Sequence, residues 1–309
     1  MRFAAYLLVS VVALAVVASA IQEHQQTNVF SGSLRQKCYK KSSEIFQDRI
    51  KSPLPSEYIT EVPTSWNWAN VSGVNYLTMN RNQHIPQYTL SPMMEIGGCW
   101  AFASTSALSD RINIIRRAVW PQVNLAPQHL INCNGGGTCD GGDPRAAYEF
   151  MAESGIVDET CQPYQAVNGL ACTPACKTCN PDGTCVAIQR YTNITVDEVG
   201  KVSGEKEIMA EVYARGPVAC SIDATDKLES YTGGIFKEFV AVPIPNHIVS
   251  IVGWGEENGE SYWIVRNSWG MYYGEQGFFR IVRGSPFENL GIELDCAWAT
   301  PNLKGLPAF

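Results

Sequence analysis

Histidine is scarce in this sequence, with 4 among 309 residues, and charged residues make up only 17% of it. Lys and Arg nowhere gather into a stripe and the net charge is -7, which excludes the electrostatic footprint of a nucleic-acid binder. No internal repeat and no low-complexity tract is found, so nothing argues for a repeat architecture or a disordered chain. Beyond the first twenty residues, no run is long and apolar enough to cross a bilayer.

What remains is a globular composition, 45% hydrophobic and 10% aromatic, on a length that suits one large or two mid-sized packed units. Arg2, the apolar run Phe3 to Val17 and the small residues Ala18-Ser19-Ala20 read as a cleavable signal peptide over 1–20, too short for a retained span. The expected route is secretory, ending in the lysosome or outside the cell. Residues 21–61 are polar, broken by Pro53 and Pro55, and lack a sustained apolar period; they read as a short propeptide before a mature domain over 62–309. Asn70-Val71-Ser72 and Asn193-Ile194-Thr195 are candidate glycosylation sites.

An exported chain with 11 cysteines calls for a disulfide framework, and the odd number leaves at least one outside any intrachain pairing. Cys172, Cys176, Cys179 and Cys185 contain a C-x-x-C spacing that suits zinc, but an oxidising route favours disulfides, and no metal is expected.

The element pattern is helix first and sheet last. Trp100, Ala103, Ala107, Leu108, Ile112 and Ile115 recur at near-helical spacing after Cys99, with Arg116 and Arg117 in the expected last turn. Residues 62–185 are expected to be mainly helical and cysteine-rich. Residues 186–309 hold β-branched and aromatic runs at 248–252, 262–265 and 278–282, read as an antiparallel sheet with a hairpin turn at Asn258-Gly259. The fold class is α+β.

A cysteine at a helix start is poised as a nucleophile, because unpaired N–H groups and the positive dipole end favour its thiolate. Gly97 and Gly98 allow close approach of a substrate carbonyl, and the Cys99 N–H suits an oxyanion. Of the histidines, His24 lies in the removable segment and His129 before an apolar pair; His247 opens an apolar strand, and Asn267 ends the next one across the hairpin. An Asn oxygen accepting from one ring nitrogen would fix the tautomer and leave the other nitrogen facing the thiol.

Gly98-Cys99-Trp100-Ala101-Phe102-Ala103, Asn246-His247 and Asn267-Ser268-Trp269-Gly270 resemble the papain family of cysteine peptidases, over nearly everything after residue 62. That resemblance implies a two-domain fold, a helical half with the catalytic helix and a β-barrel-like half, with the cleft between them. It assigns Cys99, His247 and Asn267 to catalysis and Trp269 to shielding the His-Asn pair, and it implies no cofactor. The segments 81–88, 161–164 and 262–267 are most similar to a carboxypeptidase branch of the family. This implies Gln83 in the oxyanion hole, His84 gripping the terminal carboxylate of the substrate, and Cys38, in Arg35-Gln36-Lys37-Cys38-Tyr39, as an inhibitory thiol bonded to Cys99 in a zymogen. The implied partners are peptides and proteins with free C-termini and cystatin-like inhibitors, met by a monomer.

One departure stands out. The family places Cys-Gly-Ser before its nucleophile; here residues 89–98 carry extra length and lack that cysteine, so sixteen positions separate Gln83 from Cys99. By the resemblance the missing partner belongs to Cys139, which is expected to be the free thiol. The alternative reading that follows is a papain-like protein that binds peptides or inhibitors without turnover.

Overall fold

The computed structural model describes residues 38–85, 97–302 and 304. The expected signal peptide over 1–20, residues 21–37 with His24, and most of the inserted stretch, 86–96, lie outside the described residues. The helices described are α1 (Pro55–Tyr58), α2 (Cys99–Ile115), α3 (Pro127–Asn132), α4 (Pro144–Glu153), α5 (Glu205–Arg215) and α6 (Asp226–Glu229). The strands are β1 (Trp66–Asn67), β2 (Gly137–Thr138), β3 (Gly141–Gly142), β4 (Lys177–Cys179), β5 (Cys185–Ala187), β6 (Thr195–Val202), β7 (Val218–Ile222), β8 (Ile235–Phe236), β9 (His247–Glu257), β10 (Glu260–Arg266), β11 (Phe278–Val282) and β12 (Cys296–Asn302).

α2 contains no Gly or Pro, and every residue from Cys99 to Asn113 is buried. A helix buried on all sides runs through the interior, so the apolar spacing read from sequence marks only part of its packed surface. Two of its hydroxyls bond back to the helix backbone: Ser104 and Thr105 donate to the carbonyls of Trp100 and Ala101 at 2.7 and 2.6 Å. The helix ends at Ile115, so Arg116 is the C-cap and Arg117, at φ 56°, lies past it; neither is in the last turn.

The main sheet runs β6-β12-β7-β9-β10-β11-β8, with β1 added on β9. It is antiparallel except that β8 joins β11 in parallel, a departure from the sheet expected. Asn258 and Gly259, at φ 54° and 79°, form the two-residue turn between β9 and β10, because such a turn needs both central residues left-handed.

Two apolar cores flank α2. One gathers Val249, Ile251, Trp254, Trp263 and Phe279 on the sheet. The other joins Leu108, Ile112, Tyr148 and Met151 with Val199 of β6 and Ala299 of β12. Packing therefore crosses the 185/186 boundary in both directions, since β1 joins the sheet while β6 and β12 help fill the core of the helical half. The expected α+β architecture is this pair of cores on either side of one buried helix.

Five disulfides are present: Cys38–Cys99, Cys133–Cys172, Cys161–Cys176, Cys179–Cys185 and Cys220–Cys296. Cys176 and Cys179 of the C-x-x-C spacing belong to two different bridges. Cys139 is outside all five and buried; burial and then the Asp140 charge push its thiol up to about 12.

Candidate active site

α2 delivers Cys99 at its first turn, where Gly98 is the N-cap and offers no side chain to cap the helix. The Cys99 N–H is therefore available outside the helix ladder, and it donates to the Cys38 sulfur at 3.0 Å. The Cys99 sulfur itself accepts from the Ile248 N–H at 3.2 Å.

β9 delivers the imidazole. His247 is 3% exposed, with Nε2 2.8 Å from Asn267 Oδ1 and Nδ1 3.8 Å from the Cys38 sulfur bonded to Cys99. Asn267 Oδ1 also accepts from the Ser268 N–H at 2.8 Å, which fixes the oxygen end of the amide toward the ring. Nε2 is then the protonated nitrogen, and the Nδ1 lone pair faces the sulfurs. Burial pushes His247 down to about 4, with the Asn267 hydrogen bond opposing.

The two residues do not meet as opposed partners in the hairpin. His247 pairs with Ile222 of β7, a bulge shifts the β9–β10 register between Ile264 and Val265, and Asn267 lies one residue beyond the end of β10. The strand end turns Asn267 inward onto the ring. Trp269 covers the pair, its indole stacked on His247 at 4.8 Å and 28°.

The loop before the inserted segment is anchored independently of it. Arg81 donates to Glu159 and to the Leu125 carbonyl at 2.9 Å, and to Thr105 and Ser106 of α2 at 2.9 and 3.0 Å. Asn82 bridges to Trp269, and the Gly270 N–H donates to the Arg81 carbonyl at 3.2 Å. Gln83 follows: its N–H donates to the Ser268 carbonyl at 2.9 Å, and its Oε1 accepts from Ser268 Oγ at 2.6 Å. The Tyr164 hydroxyl donates to the Gln83 carbonyl at 2.6 Å. A Cβ placed on Gly98 would lie 3.8 Å from the Gln83 Cβ, so the sixteen-position separation closes in space. His84 is buried, with its charged form opposed by burial and then by His247; it is pushed down to about 3.

Cys38 to Lys40 occupy the cleft as extended chain. The N–H groups of Cys38 and Tyr39 share the Asn246 carbonyl at 3.0 Å, the Gly142 N–H donates to the Cys38 carbonyl and the Lys40 N–H to the Gly142 carbonyl, each at 3.0 Å. Gly142 can play this part because its α-carbon faces the Trp100 ring, where a Cβ would stand at 2.7 Å. Cys38, Cys99 and His247 have ligand atoms within 4.8 Å of one another, but a disulfide presents no thiolate, so the group is not a soft-metal donor set in this state.

The sequence reading missed the pair that ties the two halves of the site together. Arg266 of β10 donates to Asp110 of α2 at 2.8 Å, with side chains 3% and 0% exposed. Thr78 donates to the same carboxylate through its N–H and hydroxyl at 2.7 and 2.8 Å. The available signal was the single charge Arg266 closing an apolar strand run and the adjacent charges Asp110-Arg111 inside the helix run. Asn70 and Asn193 are both exposed; the Asn193 amide donates to the Ser154 carbonyl at 2.9 Å.

A helix-start cysteine, an imidazole whose Nδ1 faces the disulfide that this cysteine forms, and an amide fixing that ring define a cysteine peptidase. The chain belongs to the papain family of cysteine peptidases: the family model described as papain family cysteine protease matches residues 62–300. It is 44% identical over 278 residues to Cathepsin Z of Onchocerca volvulus, covering 85% of this chain and 87% of that one, which makes it cathepsin X/Z-like within the family. A gut-specific cysteine proteinase of Caenorhabditis elegans is 32% identical over 212 residues, 64% of each chain. The fold is similar to that of digestive procathepsin L2 proteinase from the Tenebrio molitor larval midgut, with TM-score 0.70 at 24% identity, over 93% of this chain and 90% of that one.

Proposed function

We propose that this cysteine peptidase is made as a zymogen and, once reduced and processed, removes single C-terminal residues through a thioester acyl-enzyme. The observation that carries the reading is the seating of Gln83 against Gly98, which brings the adjoining, buried His84 to the loop at the start of α2. A buried imidazole in the loop packed against the start of α2, able to take up a proton when a terminal carboxylate arrives and donate to it, selects chains that end there.

The zymogen reading rests on the Cys38–Cys99 bridge, which removes the nucleophile, and on Cys38 to Lys40 filling the backbone positions at Gly142 and Asn246. An external thiolate attacking the Cys38 sulfur releases Cys99 as a thiolate, stabilised by the end of α2. Cys99 adds to the scissile carbonyl; the Cys99 N–H and the Gln83 amide donate to the oxyanion. His247, protonated at Nδ1, gives its proton to the departing amine, and the released product is a single amino acid. Water then attacks the thioester with Nδ1 as base, while Asn267 keeps the ring in one orientation. His84 takes up a proton beside the substrate carboxylate and gains a charge-assisted hydrogen bond.

The test is mass spectrometry of a peptide and its C-terminal amide incubated with reduced, processed protein and with Cys99→Ala. Stepwise loss of single residues from the free acid alone, absent in the variant, is expected. Equal cleavage of the amide, or internal cleavage, overturns the carboxypeptidase reading. Activity without reductant overturns the disulfide-locked zymogen.

A further inference from the structure

Breaking the Cys38–Cys99 bridge leaves three metal-binding side chains together in a buried place. The two sulfurs and His247 Nδ1 lie within 4.8 Å of one another, Cys38 Sγ is 3.8 Å from Nδ1, and the three residues are 1%, 0% and 3% exposed. The α-carbons of the two cysteines are 6.0 Å apart. Zinc bonds of ~2.3 Å to sulfur and ~2.0 Å to nitrogen put tetrahedral neighbours roughly 3.5–3.8 Å from each other. Sulfurs freed from their bond move apart to van der Waals contact, close to that spacing.

The surroundings suit thiolates and a ligating imidazole. The Cys99 N–H donates to the Cys38 sulfur at 3.0 Å and the Ile248 N–H to the Cys99 sulfur at 3.2 Å, so each sulfur has a backbone donor to stabilise its anion. Asn267 Oδ1, 2.8 Å from Nε2, accepts the hydrogen on the far side of the ring and leaves Nδ1 turned to the sulfurs; metal-binding histidines are oriented by a second hydrogen bond of this kind. The contacts that seat Cys38 do not depend on the disulfide: its N–H and that of Tyr39 meet the Asn246 carbonyl, its carbonyl meets the Gly142 N–H, and the Tyr39 hydroxyl donates to Asp295 at 3.1 Å. Two thiolates and an imidazole are a soft, doubly negative donor set, which zinc neutralises and which suits calcium or magnesium poorly. Three protein ligands leave a fourth position to water.

We infer that the reduced, unprocessed protein binds one Zn2+ ion through Cys38 Sγ, Cys99 Sγ and His247 Nδ1, and that this ion keeps the nucleophile and its base occupied after the disulfide has gone. The inference rests on the zymogen reading. Opening the bridge takes two electrons from a reductant: a phosphine, with water, becomes its oxide and leaves two thiols. Zinc then displaces the thiol protons and stays divalent, so no further oxidant or reductant enters. Removal of the segment that carries Cys38 strips the site to two ligands and weakens it. Activation thus takes two chemically different steps, a reduction and the loss of a ligand.

The experiment treats the unprocessed protein with limiting water-soluble phosphine under nitrogen. Thiols are counted before and after by denaturing alkylation and mass spectrometry; Cys139 alone is expected before, and Cys139, Cys38 and Cys99 after. The reduced protein is titrated anaerobically with Co2+, whose bonds to thiolate give a charge-transfer band and whose tetrahedral sites give strong visible bands, and zinc is then added to displace it. One equivalent of tetrahedral, zinc-displaceable cobalt is expected, its affinity cut about 100-fold or more by Cys38→Ser and by His247→Gln, with no such band in unreduced protein. A chelator is expected to speed Cys99 alkylation in the native zinc-loaded protein. Absence of the sulfur-to-cobalt band, or binding that Cys38→Ser leaves unchanged, overturns the metal site and leaves the zymogen reading standing. Free Cys38 and Cys99 before reduction overturn the disulfide-locked zymogen, and the same titration still decides the metal site.

Discussion

The indole of Trp269 stacks on the imidazole of His247 at 4.8 Å while Asn267 holds Nε2 of that ring at 2.8 Å. Water has no approach to the bond from the covered side, and a shielded hydrogen bond holds the ring more firmly than a wet one. Trp269→Ala is expected to lower kcat about tenfold, the equivalent of one ordinary hydrogen bond's net contribution. A change in the pH profile of Cys99 alkylation in the reduced variant separates loss of ring orientation from a general loss of stability.

His84 sets the preference for a free C-terminus in the proposed reaction. His84→Ala is expected to raise KM for a free-acid peptide and to cut the discrimination between acid and amide by about 10- to 100-fold, as for loss of a charged hydrogen bond. Steady-state kinetics on the paired substrates reads this directly. An unchanged ratio assigns the preference to another group.

Arg266 and Asp110 join the strand that leads to Asn267 to the helix that begins with Cys99, and both are buried. Arg266→Met strands the carboxylate and is expected to destabilise the protein by about 3–5 kcal/mol in urea unfolding. The double change Arg266→Met with Asp110→Leu is expected to recover part of that loss, because it removes the unpaired carboxylate but leaves the Thr78 N–H and hydroxyl without their acceptor.

Burial pushes His129 down to about 4, well below the usual imidazole value, and its Nδ1 accepts from the Val157 N–H at 3.3 Å. The unfolded chain therefore binds a proton that the folded one refuses as pH falls from about 6.5 to about 4. The stability this histidine contributes is complete above the upper value and is lost across that window. His129→Gln removes the titration, so its stability loss between pH 7 and 4.5 is expected to be smaller than that of the unaltered protein by about 1–2 kcal/mol. Denaturant midpoints at the two pH values measure the difference, and His129 lies outside the proposed catalytic group.

The parts of the site that sequence disclosed are those governed by local chemistry. A helix with no Gly or Pro after Cys99, the Asn258-Gly259 turn, and a histidine opening an apolar strand each announce themselves within a few residues. The hidden parts depend on partners far along the chain. Nothing near Arg266 announces Asp110, 156 positions away. The bulge at Ile264/Val265 leaves no mark in the sequence, so the turn falls where expected while the pairing beyond the bulge does not set His247 opposite Asn267, although their side chains meet. The all-round burial of α2 is equally invisible, since its apolar spacing marks one face only and the hydroxyls of Ser104 and Thr105 are satisfied by the backbone of the helix itself.

Gly97 stands at the downstream end of the inserted stretch, two residues before Cys99. Its N–H donates to the Cys139 carbonyl at 2.5 Å, and a Cβ there would meet the Gly141 nitrogen at 2.9 Å. Together with the Arg81 and Asn82 anchors upstream, this clamps both ends of the stretch between Ile85 and Gly97 to the body of the protein. Between two fixed ends, added length costs only a slowly growing closure entropy, about 0.6 kcal/mol per doubling. The approach to the nucleophile is thus a variable-length region by construction, a place where lineages, or engineers grafting a recognition sequence, can lengthen the chain while the reacting atoms keep their positions.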